Sequence, residues 1–288
     1  MNLLKRLKYA DFNSVFLRKI LGYFYKDGGI YKIPIGPLKG FRICYDKSIN
    51  FHAVLGMWEL QNLELLSIML RKTGLINKDL VACDVGANIG LYSLWFYRYL
   101  SPGSVIYAFE PAPRTAEKLK HNVAINNASR VKIAELACTD KVGEADFFIG
   151  PGHHKSSLDR EWASEGKACP EKIIVDAVTL DSFFYGKEKR QGPSLIKIDV
   201  EGAASLVLKG CKECVLKKRP FFLIESHNTI EDRAMCNLIT DYEYKAYRIT
   251  NHLWVKEPNE TFPNLEGVWG TVFLGPAETH KQLSNVFR

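Results

Sequence analysis

Residues 81–90 read VACDVGANIG, an apolar run that carries one aspartate, Asp84, into a tight turn built on Gly86 and Gly90. A continuous apolar run that ends in turn residues is the pattern of a strand buried on both faces. LYSLWFYRYL, residues 91–100, follows at once and reads as a helix. Strand, glycine turn and helix together form a cradle at the carboxyl end of a strand, which is where open α/β sheets bind their ligands.

The alternation continues on both sides of this stretch. SVIYAFE (104–110) is a second strand, a helix follows over 114–127, and RVKIAELA (130–137) is a third strand. EADFFI (144–149) reads as a short strand or hairpin arm, and KIIVDAVTL (172–180) as an extended run leading to a short helix over 180–185. SLIKIDV (194–200) and PFFLIESH (220–227) are further buried strands, with helices after Gly202 and over 229–240. YKAYRITN (244–251) and VWGTVFLG (268–275) close the chain with no long helix between them, which predicts an antiparallel edge. Upstream, residues 52–74 carry leucines at helical spacing up to Gly74, and residues 28–50 hold one or two small strands. The expected fold is α/β, a Rossmann-like sheet that is mostly parallel, with an antiparallel edge strand and helices on both faces. The expected division is a basic N-terminal segment over 1–75 and a catalytic domain over 76–288.

Charge supports that division. The net charge is +7, and residues 1–50 supply all of it, with ten Lys/Arg against three Asp/Glu. The remainder is balanced and has no basic stripe, which argues against a nucleic-acid partner. Leu3, Leu4, Leu7, Phe12, Val15 and Phe16 alternate with Lys5, Arg6, Lys8, Arg18 and Lys19. Such a basic amphipathic stretch either packs on the core or makes peripheral contact with an anionic membrane. No stretch of about 18 uncharged apolar residues and no signal peptide is legible, so a cytoplasmic location is expected. The seven scattered cysteines suit a reducing compartment, and the lone C-x-x-C at Cys211 and Cys214 falls short of a zinc site's four ligands.

Glu110 ends the second strand 20 residues past Gly90, where an acidic side chain meets a ribose diol in nucleoside-binding sheets. The cradle is therefore expected to hold a nucleoside cofactor. Its spacing is G-x-x-x-G, with Asn88 where a dinucleotide loop has a glycine. Asp84 would also face the diphosphate of a dinucleotide. An aspartate there suits an ammonium and a sulfonium instead, which points to S-adenosylmethionine. A dinucleotide-dependent oxidoreductase and a non-catalytic nucleoside-binding protein are the alternatives, separated by cofactor specificity and by turnover.

DVGANIG (84–90), FEPAP (109–113), HNVAINN (121–127), VTLDSF (178–183), IKIDVEG (196–202), LKG (208–210), RP (219–220) and IESH (224–227) stand in an order that resembles the FkbM family of S-adenosylmethionine-dependent methyltransferases. ACTD (137–140) departs from the glycine-bearing turn that the family often has there. The resemblance implies a methyltransferase, with transfer to a hydroxyl of a sugar, polyketide or other secondary metabolite. It also implies a cofactor site lined by Asp84, Gly86, Asn88, Gly90 and Glu110, with Asn126 as either a further member or a structural C-cap of its helix.

Methyl transfer to oxygen is an in-line displacement, and the hydroxyl needs a partner to take its proton. Asp199 and Glu201 follow one strand, and Glu225 and His227 end the next. His227 is the candidate base, because its ordinary pKa lies near working pH. Asp199 and Glu201 are expected to orient the acceptor or to hold a divalent cation. Lys197 should pair with a neighbouring carboxylate. The polar loop over 150–170, with His153 and His154, is either a lid or a connector. Tyr247 and Trp254 either shape an acceptor pocket or pack in the core.

Overall fold

A computed structural model describes residues 23–45, 51–150, 156–164, 169–187, 189–249 and 270–283. Residues 1–22, His153, His154 and Trp254 lie outside these ranges.

The chain opens with a hairpin of β1 (Ile30–Lys32) and β2 (Arg42–Cys44), then α1 (Phe51–Leu55) and α2 (Leu60–Lys72). Next come β3 (Val81–Val85), α3 (Leu91–Tyr99), β4 (Val105–Phe109), α4 (Pro113–Ile125) and β5 (Val131–Ala134). An excursion of β6 (Ala137–Cys138), β7 (Gly143–Ile149), α5 (Arg160–Ser164) and β8 (Glu171–Val178) is followed by α6 (Leu180–Tyr185). The chain then returns through β9 (Leu195–Ile198), α7 (Ala204–Lys209), α8 (Lys212–Lys218), β10 (Phe221–Ser226), α9 (Thr229–Asp241), β11 (Tyr244–Arg248), β12 (Gly270–Pro276) and α10 (His280–Leu283).

The main sheet runs β11-β12-β10-β9-β3-β4-β5. The strands from β10 to β5 are mutually parallel, and β12 is antiparallel to both of its neighbours. The antiparallel strand thus stands one place in from the edge, inserted between β10 and β11. The fold is a Rossmann-like α/β sheet with helices on both faces. EADFFI and KIIVDAVTL pair with each other antiparallel, and together with β6 they form a separate three-stranded sheet beside the main one.

Side chains alternate across a strand, so each strand serves two cores. Ala82 joins Leu63 and Leu66 of α2 with Leu94, Trp95 and Phe96 of α3 on one face. Val81, Cys83 and Val85 join Phe184, Val207, Cys211, Cys214 and Met235 on the other. Cys211 and Cys214 are buried free thiols, as their apolar surroundings require.

The division at residue 75 is corrected. Ile33 and Ile43 of the N-terminal hairpin, with α2, lie in the same core as β3 and α3. They cover a sheet face that would otherwise expose apolar side chains to water. Asn126 takes the second of its two expected places, as the cap at the end of α4. Its side-chain amide donates to the carbonyl of Arg42 at 2.7 Å, its oxygen accepts the Arg42 N–H at 2.7 Å, and Asn122 accepts the N–H of Cys44 at 2.9 Å. Asn126 laces β2 to the end of α4 and does not line the cofactor cleft described below. Asn126→Ala is expected to lower unfolding stability by about 1–3 kcal/mol, the worth of the three hydrogen bonds its side chain makes, two to Arg42 and one to the carbonyl of Asn122. Urea titration measures that loss, and cofactor affinity should be unchanged.

No helix among the described residues is long and apolar enough to cross a membrane.

Candidate active site

The cradle forms where β3 ends. The backbone N–H groups of Gly86 and Ala87 both donate to the carbonyl of Phe109, at 3.1 and 2.9 Å, which folds the turn onto β4. Gly86 has φ +74°, and a Cβ there would collide with the backbone carbonyl of Asp199, so only glycine lets the turn rest on the end of β9. Asn88 takes a left-handed conformation, φ +51°, which asparagine tolerates better than most residues. Its N–H donates to Glu110 Oε2 at 2.9 Å, and the N–H of Ala112 donates to Glu110 Oε1 at 3.0 Å. Glu110 therefore clamps both rims of the opening. It is 6% exposed, and burial pushes its carboxyl up to about 7 despite those two donors.

Asp84 and Gly90, two further residues expected at the site, stand outside the lining of the cleft. Asp84 is fully buried. It accepts the Ser93 hydroxyl at 2.6 Å and lies 3.5 Å from Lys197 Nζ, so it anchors the turn from below. Gly90 starts α3, and a Cβ there would press on Leu119 Cδ1 at 2.6 Å, so this glycine serves helix packing.

The resulting cleft encloses about 600 Å³ including its mouth. Gly86, Asn88 and Glu110 form one side, Leu136, Ala137, Cys138 and Phe147 form an apolar wall, and Asp199, Val200 and Glu201 close the other side. At ACTD (137–140), the small side chains of Ala137 and Cys138 leave room beside Glu110.

Beyond Asp199 the surface becomes acidic. His227 Nε2 lies 3.8 Å from Asp199 Oδ1, 3.7 Å from Glu201 Oε2 and 3.7 Å from Glu225 Oε1. The four expected groups do converge. Burial pulls the His227 imidazole down, but the neighbouring Glu231 carboxylate and the charges of Asp199 and Glu201 outweigh it, and its pKa rises to about 9. The charge of Asp199, then burial, pushes Glu225 up to about 8. Lys197 is paired as expected, 3.3 Å from Asp199 Oδ2 and 3.1 Å from the carbonyl of Gly86. Burial works against its charge, but the surrounding carboxylates hold its pKa above the ordinary value. Tyr247 is buried in the core and its hydroxyl meets His280 Nδ1 at 2.5 Å, so it is a packing residue.

Three members were not singled out from the sequence. Glu59, just before α2, accepts hydrogen bonds from Tyr92 and Asn62, and its carboxylate, those of Asp199 and Glu225 lie within 4.8 Å of one another. Burial and the charge of Asp199 raise its pKa. Trp162 of α5 donates its indole N–H to Glu201 Oε2 at 2.8 Å and sets its ring edge-on to His227. Glu231 is described further below. Glu59 and Trp162 are distant in sequence from the strand ends, and no local pattern marks them. The loop over 150–170 reaches the site through Ser156 and Leu158, which line the cleft, and through Ser157, whose hydroxyl donates to the carbonyl of Glu201 at 2.6 Å.

A carboxylate braced by two backbone N–H groups, an apolar wall and a histidine among carboxylates stand side by side. That arrangement can hold a nucleoside and take a proton from a group presented at its mouth.

Residues 84–247 match the Methyltransferase FkbM domain. The chain is 27% identical over 187 residues to the 2-O-methyltransferase NoeI of Sinorhizobium fredii, covering 58% of this chain and 74% of that protein. It is 24% identical over 224 residues to the hexuronic acid methyltransferase AglP of Haloferax volcanii, covering 75% and 83%. A solved structure of the methyltransferase FkbM of Methylobacillus flagellatus superposes with a TM-score of 0.45 at 15% identity, covering 93% of this chain and 61% of that one.

Proposed function

The chain belongs to the FkbM methyltransferase family, and from that premise we propose that it transfers a methyl group from S-adenosylmethionine to a hydroxyl of a sugar or a comparable polyhydroxylated small molecule. The observation that carries this reading is the approach of His227 to Asp199 and Glu201, two residues that line the cleft shaped by Gly86 and Glu110. A 2-O-methyltransferase and a hexuronic acid methyltransferase among the relatives support an oxygen acceptor on a sugar.

The residues present fit the cofactor. Each Glu110 oxygen spends one bond on a backbone N–H, and a carboxylate oxygen can accept a second, so both can receive ribose hydroxyls. Gly86, without a side chain, lets the backbone approach closely. When bound, S-adenosylmethionine supplies an electrophilic methyl group on a sulfonium. Leu136, Ala137, Cys138 and Phe147 exclude water from one wall of the cleft. Asp199 and Glu201 accept hydrogen bonds from acceptor hydroxyls and so orient the reacting oxygen. His227, in its neutral form, would take the proton from that oxygen at Nε2. Because the carboxylates favour the charged imidazole, the rate should climb with pH toward about 9 and lose that climb in His227→Gln.

Asp199, Glu201 and His227 offer ligand atoms within 4.8 Å of one another, but this reading does not call for a divalent cation there, because it uses His227 as the base and Lys197 already faces Asp199. Unchanged turnover after chelation is the expected result. Loss of turnover that magnesium restores would place a cation there.

Glu110 gives cofactor binding its own pH dependence. Its pKa is raised, so it takes up a proton as pH falls from 8 to 6. Ribose hydroxyls need the carboxylate form as acceptor. Affinity for S-adenosylmethionine should therefore weaken, by about threefold to tenfold, over that range. Calorimetric titration at the two pH values checks it, and a flat profile would separate Glu110 from the ribose.

The acceptor class is tested by methyl-labelled S-adenosylmethionine against neutral glycosides, hexuronosides, amines and thiols. Label on sugar oxygen is expected. Label confined to nitrogen or sulfur would overturn the reading.

A further inference from the structure

We propose that Glu231 is a positioning residue that keeps the ring proton of His227 on Nδ1, so that Nε2 is the nitrogen presented to the acceptor; the proposal rests on the reading of His227 as the base.

Glu231 lies in the first turn of α9 and is fully buried. Its Oε2 accepts the backbone N–H of His227 at 2.6 Å. Its Oε1 accepts the N–H of Ala204 at 2.8 Å, directly after the turn that carries Asp199, Glu201 and Gly202. Its own N–H donates to Asn228 Oδ1 at 2.9 Å, and Asn228 Nδ2 donates to the carbonyl of Gly202 at 3.3 Å. One carboxylate thus joins the strand end bearing His227 to the turn bearing Asp199 and Glu201.

The ring is held as well. His227 Nδ1 is buried and lies 3.5 Å from Glu231 Oε2. That contact is long for a hydrogen bond, and Nδ1 makes no closer one. The other charged groups around the ring all face Nε2. Asp199 and Glu201 approach from the turn after β9, and Glu225 approaches from β10. The uncharged Trp162 of α5 packs edge-on, with its ring centroid 5.4 Å away.

A neutral imidazole carries one ring proton, and its location is set by the acceptor beside it. Nε2 can serve as a base only when that proton is on Nδ1. A capping carboxylate that reaches back to the N-terminal backbone is a common helix device, and it accounts for the bond to the His227 N–H. It does not require a fully buried carboxylate placed against the ring, nor the bond across to Ala204.

The experiment reads the ring directly and needs no acceptor. The whole chain, labelled with nitrogen-15 in histidine, is titrated by NMR to a pH at which His227 is neutral, and the signal is assigned by its loss in His227→Gln. The wild-type ring is expected in the Nδ1–H tautomer. Glu231→Gln, which removes the charge and can accept from only one of the two backbone donors, is expected to shift the ring toward the Nε2–H form. Affinity for S-adenosylmethionine should stay within twofold. A wild-type ring in the Nε2–H form overturns the proposal whether or not the variant folds. So does a variant with a native melting profile and unchanged ring signals. If His227→Gln transfers methyl at the wild-type rate, the base assignment fails separately, and the tautomer result still reports on Glu231.

Discussion

Replacing His227 by glutamine should lower methyl transfer by about 10²–10⁴-fold, the usual contribution of a positioned general base, and leave S-adenosylmethionine affinity within about twofold. Glutamine keeps the polarity and most of the volume but cannot take a proton at working pH. The affinity should hold because His227 does not line the nucleoside side of the cleft, which belongs to Gly86, Asn88 and Glu110. Steady-state transfer of labelled methyl at saturating cofactor, beside a calorimetric affinity, separates the two effects. An unchanged rate would pass the proton to Asp199 or Glu201, which face the cleft at 20% and 22% side-chain exposure. Loss of rate and affinity together would make His227 part of the scaffold.

Glu110→Ala should weaken S-adenosylmethionine binding by about a hundredfold or more. Two kinds of bond disappear at once. The ribose loses its acceptors, each hydrogen bond to a charged group being worth about 1.5–3 kcal/mol. The N–H groups of Asn88 and Ala112 lose the carboxylate that holds the rims of the opening at 2.9 and 3.0 Å. Glu110→Gln should fall between the two proteins, because its amide can accept from one rim only. The paired measurements are affinity and melting temperature. A native melting temperature with weak binding is the expected pattern for a ligand-facing group. Retained affinity in the alanine variant would mean that Glu110 shapes the loop and never meets the ribose.

Much of this architecture is legible in the chain because it is local. VACDVGANIG carries strand and turn with the helix directly after it, and the step from Gly90 to Glu110 is that one helix and the next strand. The convergence of Asp199, Glu201, Glu225 and His227 is legible for a related reason. They end adjacent strands, and β9 pairs with β10 in parallel register, so their carboxyl ends coincide. Asp84 shows the limit. Alternation places it on the face opposite Cys83, toward Ser93 and Lys197, and only the packing of α3 reveals that this face is sealed. Asn126 and the hairpin of β1 and β2 show another. Their partners are 84 residues apart, so no local pattern separates a lacing amide from one that touches a ligand. The basic composition of residues 1–50 likewise marks a charge boundary, while the core continues across it. Glu59 and Trp162 reach the site by tertiary packing alone.

The most direct test of the central claim is a calorimetric titration of the purified chain with S-adenosylmethionine, S-adenosylhomocysteine and NAD. Binding of both sulfur nucleosides, with no heat from NAD, is the result expected of this cleft. Binding of NAD, or of none of the three, would contradict the assignment of the cleft between Gly86 and Glu110 as a methyl-donor site.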